Sequence, residues 1–287
     1  MPQFKVADLI LDINCAEEEI IGSFSRYKLI SEEKYDLKIS INQRDYIEPP
    51  QGKHIIDEKM KWLHKPGGES GYYFYSQETS PNRVIVLLDV DAGCEQGLLY
   101  YLNSEPEVRY SPVLFYIHNL PGIMFRYNLL RHEGIVVHAS AIAWKGRGFI
   151  FSAPSGTGKS THAKLWQEYF GAEVMVINED TPALRFRNNQ PFVFGTPWSG
   201  NGVNNNISAP LEAIVILEQA PHNMIRKLSL QEAMHHLMPR CFLPYFDERF
   251  MHLAMAVFER IVLSVPVYLL QCLPDQEAVE MVYQCVK

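Results

Sequence analysis

A short segment rich in small residues ends in the pair Lys159-Ser160, and its spacing is typical of loops that bind phosphate. The segment reads Ala153-Pro154-Ser155-Gly156-Thr157-Gly158-Lys159-Ser160-Thr161. It follows the pattern Gly, four residues, Gly-Lys-Ser/Thr, except that Ala153 stands where the first glycine is usual. Small residues let successive backbone N–H groups face phosphate oxygens, and a following helix adds the positive end of its dipole. The segment therefore predicts binding of nucleoside-triphosphate phosphates, with Lys159 near the β- and γ-phosphates and Ser160 as a Mg²⁺ ligand.

The surroundings of this segment favour the same interpretation. The apolar run GFIFS precedes it and the helical pattern THAKLWQEYF follows it, which is the strand–loop–helix context that phosphate loops require. The alternative is a glycine-rich turn between a strand and a helix that binds nothing.

Two acids and a histidine are the other candidates for chemistry. Glu179-Asp180 follows the apolar run VMVI, where a buried strand is expected to end. Asp180 could bind Mg²⁺, directly or through water, and Glu179 could accept the proton of an attacking hydroxyl; the alternative is a pair of ordinary turn or cap residues. His138 lies in the apolar run GIVVHASAIAW, 21 residues before Lys159. It is a candidate for proton transfer or phosphate orientation, or else a histidine of the core.

Hydrophobic patterning divides the 287 residues into two parts. Residues 1–117 contain short apolar runs between turn residues, which predicts a β-rich, mostly antiparallel domain. A helical pattern at 111–132, interrupted or started at Pro121-Gly122, is expected to lead into the second part. In residues 118–287 predicted strands and helices alternate, so this domain is expected to be α/β. The predicted elements there include a hairpin across KGRG, a second across RNNQ, and a terminal helix from about Asp275.

Composition and charge exclude some classes of function. The net charge is -7, with 17 acidic and 11 basic residues in the first hundred, and no Lys/Arg cluster suited to nucleic acid is present. The acidic front half is interpreted as a solvated surface, or alternatively as a site for a basic partner. The five scattered cysteines have no metal-ligand spacing. With no signal-peptide pattern at the N-terminus and no apolar run of about 18 residues, we expect a cytoplasmic protein without a membrane span.

Together the motifs HAS, SAPSGTGKSTH, the acidic pair and GTPWSG resemble the HPr serine kinase/phosphorylase family, in particular its uncharacterised HPr-kinase-related subgroup. The resemblance covers about residues 118–287. It implies an α/β domain of the phosphoenolpyruvate carboxykinase-like P-loop fold, joined to a β-rich N-terminal domain that resembles nothing nameable. It also implies ATP and Mg²⁺ as cofactors and either a homo-oligomer, as for many HPr kinases, or a monomer.

Carried onto this chain, the family roles fall on four places. His138 matches the histidine before the loop, residues 153–160 match the ATP-phosphate loop, and Glu179 and Asp180 match the catalytic base and the metal ligand. The family usually has Asp where Glu179 stands. In the segment 195–206, Trp198 and Gly200 match a substrate-facing loop, while Asn201 stands where a Lys is expected. The alternative interpretation of residues 195–206 is a solvated Gly/Asn loop that contacts no substrate.

These observations predict Mg²⁺-dependent phosphorylation of a hydroxyl, of serine type, on a peptide, protein or small molecule. An arginine is expected to stabilise the transferred phosphoryl group, and Arg226, Arg240 and Arg249 are the candidates. The alternative is a nucleotide-binding regulatory or scaffold protein, favoured by the replacements at Ala153, Glu179 and Asn201. A full phosphoenolpyruvate carboxykinase is disfavoured, because those enzymes are much longer and carry a second, His/Lys-bound metal site that is not recognisable here.

Overall fold

The computed structural model describes residues 2–67, 70–78, 83–102, 112–200 and 202–287. It is a mixed α/β structure with two sheets, as the sequence predicts. The chain folds into two compact units, Met1–Asn128 and Leu129–Lys287. Over the described ranges, no helix combines the length and the apolar character needed to cross a bilayer.

Over its described residues, the first unit contains an eight-stranded sheet and two α-helices. Its strands run in the order β1-β2-β3-β8-β7-β6-β5-β4, with five antiparallel and two parallel pairings. The mostly antiparallel character is therefore confirmed. The strands are β1 (Gln3–Val6), β2 (Leu9–Asn14), β3 (Leu37–Arg44), β4 (Lys53–Asp57), β5 (Lys61–His64), β6 (Gly71–Gln77), β7 (Val84–Asp91) and β8 (Gln96–Leu102), and the helices are α1 (Glu18–Ser23) and α2 (Pro112–Leu130).

The run FKVADLILDI, which its apolar residues predict to be one strand, is instead a hairpin of β1 and β2. Ala7 and Asp8 separate β1 from β2 and have φ values of 49° and 61°. Positive φ at both central residues is the geometry of the tight turn that reverses two antiparallel strands. Hydrophobicity does not signal this turn, since Lys5 and Asp12 interrupt the apolar pattern in the same way as Asp8.

Helix α2 continues through Pro121, so the predicted interruption at Pro121-Gly122 is wrong. Its buried residues include Ile117, Leu120 and Met124. A side chain at Gly97 of β8 would collide with Met124, which shows how closely the helix approaches this sheet. Burial of that apolar face offsets the hydrogen bond that proline cannot donate. Ser111, where the helical pattern begins in the sequence, lies outside the described residues.

The division between the units falls inside α2. The first unit ends at Asn128, whereas the sequence predicts a boundary after residue 117. The difference follows from α2, since Leu120 and Met124 are core residues of the first unit.

The second unit contains nine strands and four helices in the part of the chain that is described. Strand and helix positions agree with the predicted alternation. The strands are β9 (Gly134–Val136), β10 (Ala139–Trp144), β11 (Arg147–Ser152), β12 (Val174–Asn178), β13 (Ala183–Arg187), β14 (Gln190–Phe194), β15 (Ser208–Gln219), β16 (Met224–Lys227) and β17 (Val267–Cys272), and the helices are α3 (Lys159–Phe170), α4 (Leu230–Leu237), α5 (Glu248–Ser264) and α6 (Gln276–Val286).

The long strand β15 connects two parts of the second sheet. Its beginning pairs with β14, and its remainder pairs in parallel with β11 on one side and β17 on the other. Beyond β11 the order continues through β10 to β12. Because β11, β15 and β17 are parallel, their carboxyl ends lie at the same edge of the sheet.

The apolar run that contains His138 is split between two pairings. β9 pairs with β13, whereas β10 forms the predicted hairpin with β11. Val137 and His138 lie between them, and Val137 makes a single bridge to Cys241. His138 thus lies where the chain changes partners. A continuous apolar run in the sequence does not reveal such a change.

The apolar core of the second sheet packs against α3 and against the segment that leads into it. Lys159, His162, Ala163 and Trp166 are the buried residues of α3, at the spacing of one helix face. The Trp166 ring stacks on Phe149 of β11, with centroids 5.4 Å apart. The loop from β11 to α3 is therefore held by buried elements on both sides.

His162 is a buried and uncharged member of this core. It is 3% exposed, and its Nε2 accepts a hydrogen bond from Trp166 Nε1 at 3.2 Å. Indole N–H is only a donor, so the proton of the neutral ring lies on Nδ1. Burial lowers the pKa of His162 to about 4.

His162 should make folding sensitive to acid. Because its folded-state pKa is below the value of about 6.5 in an unfolded chain, the unfolded state binds more protons between these values. Stability is therefore lost as pH falls from about 6.5 towards 4, by about 2 kcal/mol at pH 5. Denaturant unfolding at pH 7.5 and pH 5 should show this loss in the wild type. His162→Gln, which keeps an acceptor for Trp166 but does not titrate, should lose about 2 kcal/mol less; equal losses would contradict the assignment.

Candidate functional site

The loop Ala153–Gly158, hereafter the Gly-rich loop, leads from β11 directly into α3. Gly156 and Gly158 have φ values of 78° and 110°, a region that side chains disfavour. Both have open space where a Cβ would stand, so conformation and not crowding requires glycine. Thr157 N donates to Pro154 O at 3.3 Å and closes a turn within the loop. The backbone N–H groups at the start of α3 have no carbonyl one turn earlier within the helix, so this end favours an anion.

Ala153, the one departure from the sequence pattern, is explained by packing. It is fully buried and belongs to the apolar core that contains Ala163 and Trp166. Its φ is not positive, so alanine adopts the backbone without strain. The substitution therefore places one methyl group in the core beneath the loop.

Lys159 lies at the first turn of α3 and its ammonium group turns back on the loop. Nζ donates to Ala153 O at 3.3 Å and to Pro154 O at 3.4 Å. Burial lowers the pKa of Lys159, while the Asp180 carboxylate raises it and the Arg240 guanidinium lowers it. These effects show that Asp180 and Arg240 are close enough to act on the lysine charge.

The structure brings His138 and Asp180 into direct contact. His138 Nε2 lies 3.2 Å from Asp180 Oδ1, and the side chains are 28% and 42% exposed. The His138 backbone is held by two further bonds. Its N–H donates to Arg240 O at 2.7 Å and its carbonyl accepts from Ser152 Oγ at 2.9 Å. The imidazole therefore has a fixed position beside a carboxylate that solvent reaches.

Two buried polar residues that the sequence analysis did not single out support the acid pair. Ser140 is fully buried; its Oγ donates to Glu179 O at 3.1 Å and lies 3.5 Å from Ser160 Oγ. Asn178, also fully buried, accepts at Oδ1 from Asp180 N (2.9 Å) and Thr181 N (2.7 Å). Polar residues within apolar runs are the sequence signal that identifies such positions.

Glu179 is held by the chain that faces it. Its Oε2 accepts a hydrogen bond from Val203 N at 2.6 Å, and Glu179 N donates to Val203 O at 3.0 Å. A Cβ at Gly202 would lie 2.8 Å from Glu179 Cβ and 2.9 Å from Oε2. One carboxylate oxygen therefore has a backbone partner, and glycine at 202 makes the approach possible.

Trp198 and Gly200, the expected substrate-facing residues, differ in their burial and surroundings. Trp198 is 8% exposed and is thus mostly buried. Gly200 has a φ of 55°, and a Cβ there would lie 4.0 Å from Asp180 Oδ2. Gly200 is therefore near the acid pair and is itself exposed. Asn201, where a lysine was expected, lies outside the described residues.

Of the three candidate arginines, the structure places Arg240 beside the site. Arg226 pairs with Glu232 at 2.7 Å, and Arg249 pairs with Asp247 at 2.8 Å. Arg240 instead bonds through its carbonyl to His138 N and acts on the charge of Lys159. Of the three candidates, Arg240 is therefore the one with a contact to His138 and an effect on the charge of Lys159.

The oxygen donors at the site suit a hard divalent cation. Ser160 and Asp180 provide a hydroxyl and a carboxylate, the ligand types that Mg²⁺ prefers, and Mg²⁺ shared with substrate phosphates needs only one or two carboxylates. Within the described ranges no group of three or more His, Cys, Asp or Glu side chains could hold a metal. Ser160 and Asp180 are therefore the residues that could hold Mg²⁺ together with a phosphate.

Fold and site together define a mixed α/β protein in which a Gly-rich loop, an acid pair and a histidine meet at the edge of one sheet. Residues 113–274 match the family model described as SynChlorMet cassette protein ScmC. Because that match spans more than half of the chain, the chain belongs to the ScmC family.

The other comparisons add little to this assignment. Comparison with curated proteins gives no match. Among solved structures, the Hpr(Ser) kinase/phosphatase from Coxiella burnetii is similar over 53% of this chain and 87% of that chain, at 13% identity and a TM-score of 0.32. A likeness at this level says nothing about which residues act.

The contact between Glu179 and Val203 can be tested by amide exchange. Glu179→Ala removes the acceptor, so the Val203 amide should exchange about fivefold faster, corresponding to about 1 kcal/mol for a partly exposed hydrogen bond. Glu179→Gln keeps a carbonyl acceptor and should change the rate much less. Hydrogen exchange followed by NMR measures this, and identical rates in both variants would show that the bond does not form in solution.

Proposed function

We propose that this chain is an ATP-dependent kinase that uses Mg²⁺ to transfer the γ-phosphoryl group to a hydroxyl, of serine type, on a peptide, protein or small molecule. The observation that carries the proposal is the Gly-rich loop, with two glycines at positive φ, next to Lys159 and Asp180. A buried lysine beside backbone N–H groups suits phosphate oxygens. Kinases supply this positioning and charge compensation and need little covalent chemistry of their own.

The residues divide into groups that bind phosphate and groups that handle the hydroxyl. Lys159 and the loop N–H groups would neutralise the phosphates, and Arg240 would stabilise charge on the transferred group. Ser160 and Asp180 would hold Mg²⁺, which when bound neutralises charge on the phosphate oxygens. Glu179, oriented by its bond to Val203 N, would accept the proton of the hydroxyl as that oxygen bonds to phosphorus and ADP leaves.

His138 would act through Asp180. The 3.2 Å contact between Nε2 and Oδ1 holds the carboxylate in one orientation, which suits a metal ligand. Gly200, beside Asp180 Oδ2, leaves room for the acceptor to approach this side. Since nucleoside triphosphates are the donors, the cytoplasm is the compartment that fits this activity.

One observation favours a second candidate, a nucleotide-binding regulatory protein without efficient transfer. Glu179 Oε2 already bonds to Val203 N, so the proposed base has one oxygen less for a substrate. In that case nucleotide binding would act on the segment that contains Val203 and not on an acceptor.

Lys159→Ala should strongly reduce ATP turnover. Loss of the ammonium group that faces the phosphates is expected to lower kcat/KM by about a hundredfold or more. Lys164→Ala, which removes an exposed lysine from the same helix, is the matched control and should retain wild-type turnover. ADP release measured in the presence of a hydroxyl-bearing acceptor provides the readout, and turnover by Lys159→Ala at the wild-type rate would refute the kinase assignment.

Glu179→Gln separates the two candidate functions. The variant keeps an acceptor for Val203 N but is a poor base, so the kinase proposal expects unchanged ATP affinity and a kcat lowered by about a hundredfold. Calorimetric ATP binding and a phosphorylated-product assay measure the two quantities. Tight ATP binding with no phosphorylated product in the wild type, across a broad set of acceptors, would favour the regulatory protein instead.

A further inference from the structure

A second feature lies on the other side of the Gly-rich loop from the acid pair. The parallel strands β11, β15 and β17 end at one edge of the sheet, and ligands of α/β sheets bind outside such carboxyl ends. In the sheet order β12-β10-β11-β15, the acid pair follows β12, on one side of β11. The ends of β15 and β17 lie on the opposite side.

A cavity of about 420 Å³ occupies this opposite side. Its volume is within the range of about 300–1,000 Å³ that is usual for small-molecule sites. The Gly-rich loop contributes Gly156 to Gly158, and the ends of β15 and β17 contribute Leu217 to Ala220 and Cys272 to Pro274. The residues of the loop therefore line the cavity directly.

The walls of the cavity are mainly apolar and its rim is polar. Leu165 of α3, Leu217 and Leu273 line it, and Gln219 stands at the end of β15. Gln219 Nε2 donates to Thr157 O at 3.4 Å, which joins the strand end to the loop. An amide side chain has both donors and acceptors, so Gln219 could bond to the edge of a heterocycle whose faces contact leucines.

The pKa values of two side chains indicate that this region is apolar. His162, which also lines the cavity, stays neutral because burial lowers its pKa to about 4. Burial raises the pKa of the Cys272 thiol to about 11, with a further contribution from Asp275. Fixed charge is therefore disfavoured here, which suits an uncharged aromatic ring better than a phosphate.

We propose that this cavity holds the base and ribose of the nucleoside triphosphate whose phosphates lie on the Gly-rich loop. The triphosphate would then extend from the cavity across the loop, with its reacting end towards Glu179 and Asp180. This inference rests on the proposed function, because it requires that the loop binds phosphates.

The affinities of ATP and inorganic tripolyphosphate, both with Mg²⁺, test the inference without any mutation. Both carry the same phosphate chain, but only ATP has a base and a ribose. Titration calorimetry of the full chain should show ATP binding at least tenfold tighter than tripolyphosphate. Equal affinities would overturn the assignment of the cavity and leave the phosphate loop intact. Absence of binding by both would overturn the phosphate loop, and with it the proposed function.

Cys272→Trp places a bulky ring in the cavity and should lower ATP affinity at least tenfold while changing tripolyphosphate affinity less than twofold. Cys285→Trp makes the same change at an exposed cysteine of α6 and should leave both affinities unchanged. Thermal melts establish that the variants are folded. Gln219→Ala, a smaller change on an exposed side chain, should weaken ATP selectively by about threefold or more. If the Cys272 and Gln219 variants both bind ATP like the wild type, the cavity is not the nucleoside site.

Discussion

The backbone between β11 and α3 must reverse within six residues while the elements before and after it stay buried. Two glycines at positive φ make that path available, and the stacking of Trp166 on Phe149 holds the strand and the helix that it connects. The position of Lys159 depends on this constraint, since its Nζ returns to the carbonyls of the same loop. Any side chain at Gly156 or Gly158 would strain the turn even though space is open there.

Small buried polar residues hold the backbone of the site residues in place. Ser140, Ser152 and Asn178 have fully buried side chains, and each one bonds to the backbone of a site residue or of its neighbour. A buried hydroxyl or amide without a partner is costly, so these bonds are strongly specified. These hydrogen bonds fix the backbone at the strand ends that Glu179-Asp180 and His138 adjoin. The side chains of His138 and Asp180 themselves remain partly exposed.

The length of the Glu179 side chain has a geometric consequence. The additional methylene extends the carboxylate to Val203 N, and Gly202 leaves the room for that approach. Gly202 and Val203 are thereby connected to the acid pair, and Ser199 Oγ further donates to Gly202 O at 2.9 Å. A charge in the site and the shape of the facing segment are therefore coupled.

Local patterns in the sequence determined the Gly-rich loop, the strand before it, the helix after it, and the order of strands and helices in the second unit. These depend on residues that are close along the chain, namely glycine conformations, apolar periodicity and caps such as Asp275. The packing of Ala153 did not follow from a local pattern, because its core neighbours Ala163 and Trp166 belong to a different element.

Other features were decided only by tertiary structure. Helix α2 passes through Pro121 because its apolar face is buried, and the run around His138 divides because its halves pair with β13 and β11. Arg240 lies beside His138 because its carbonyl accepts a hydrogen bond from His138 N. The cavity beside the loop is formed by the loop itself, by α3 and by the ends of β15 and β17, which are far apart in the chain. Each of these features depends on contacts between residues that are distant in sequence, and local sequence patterns do not predict such contacts.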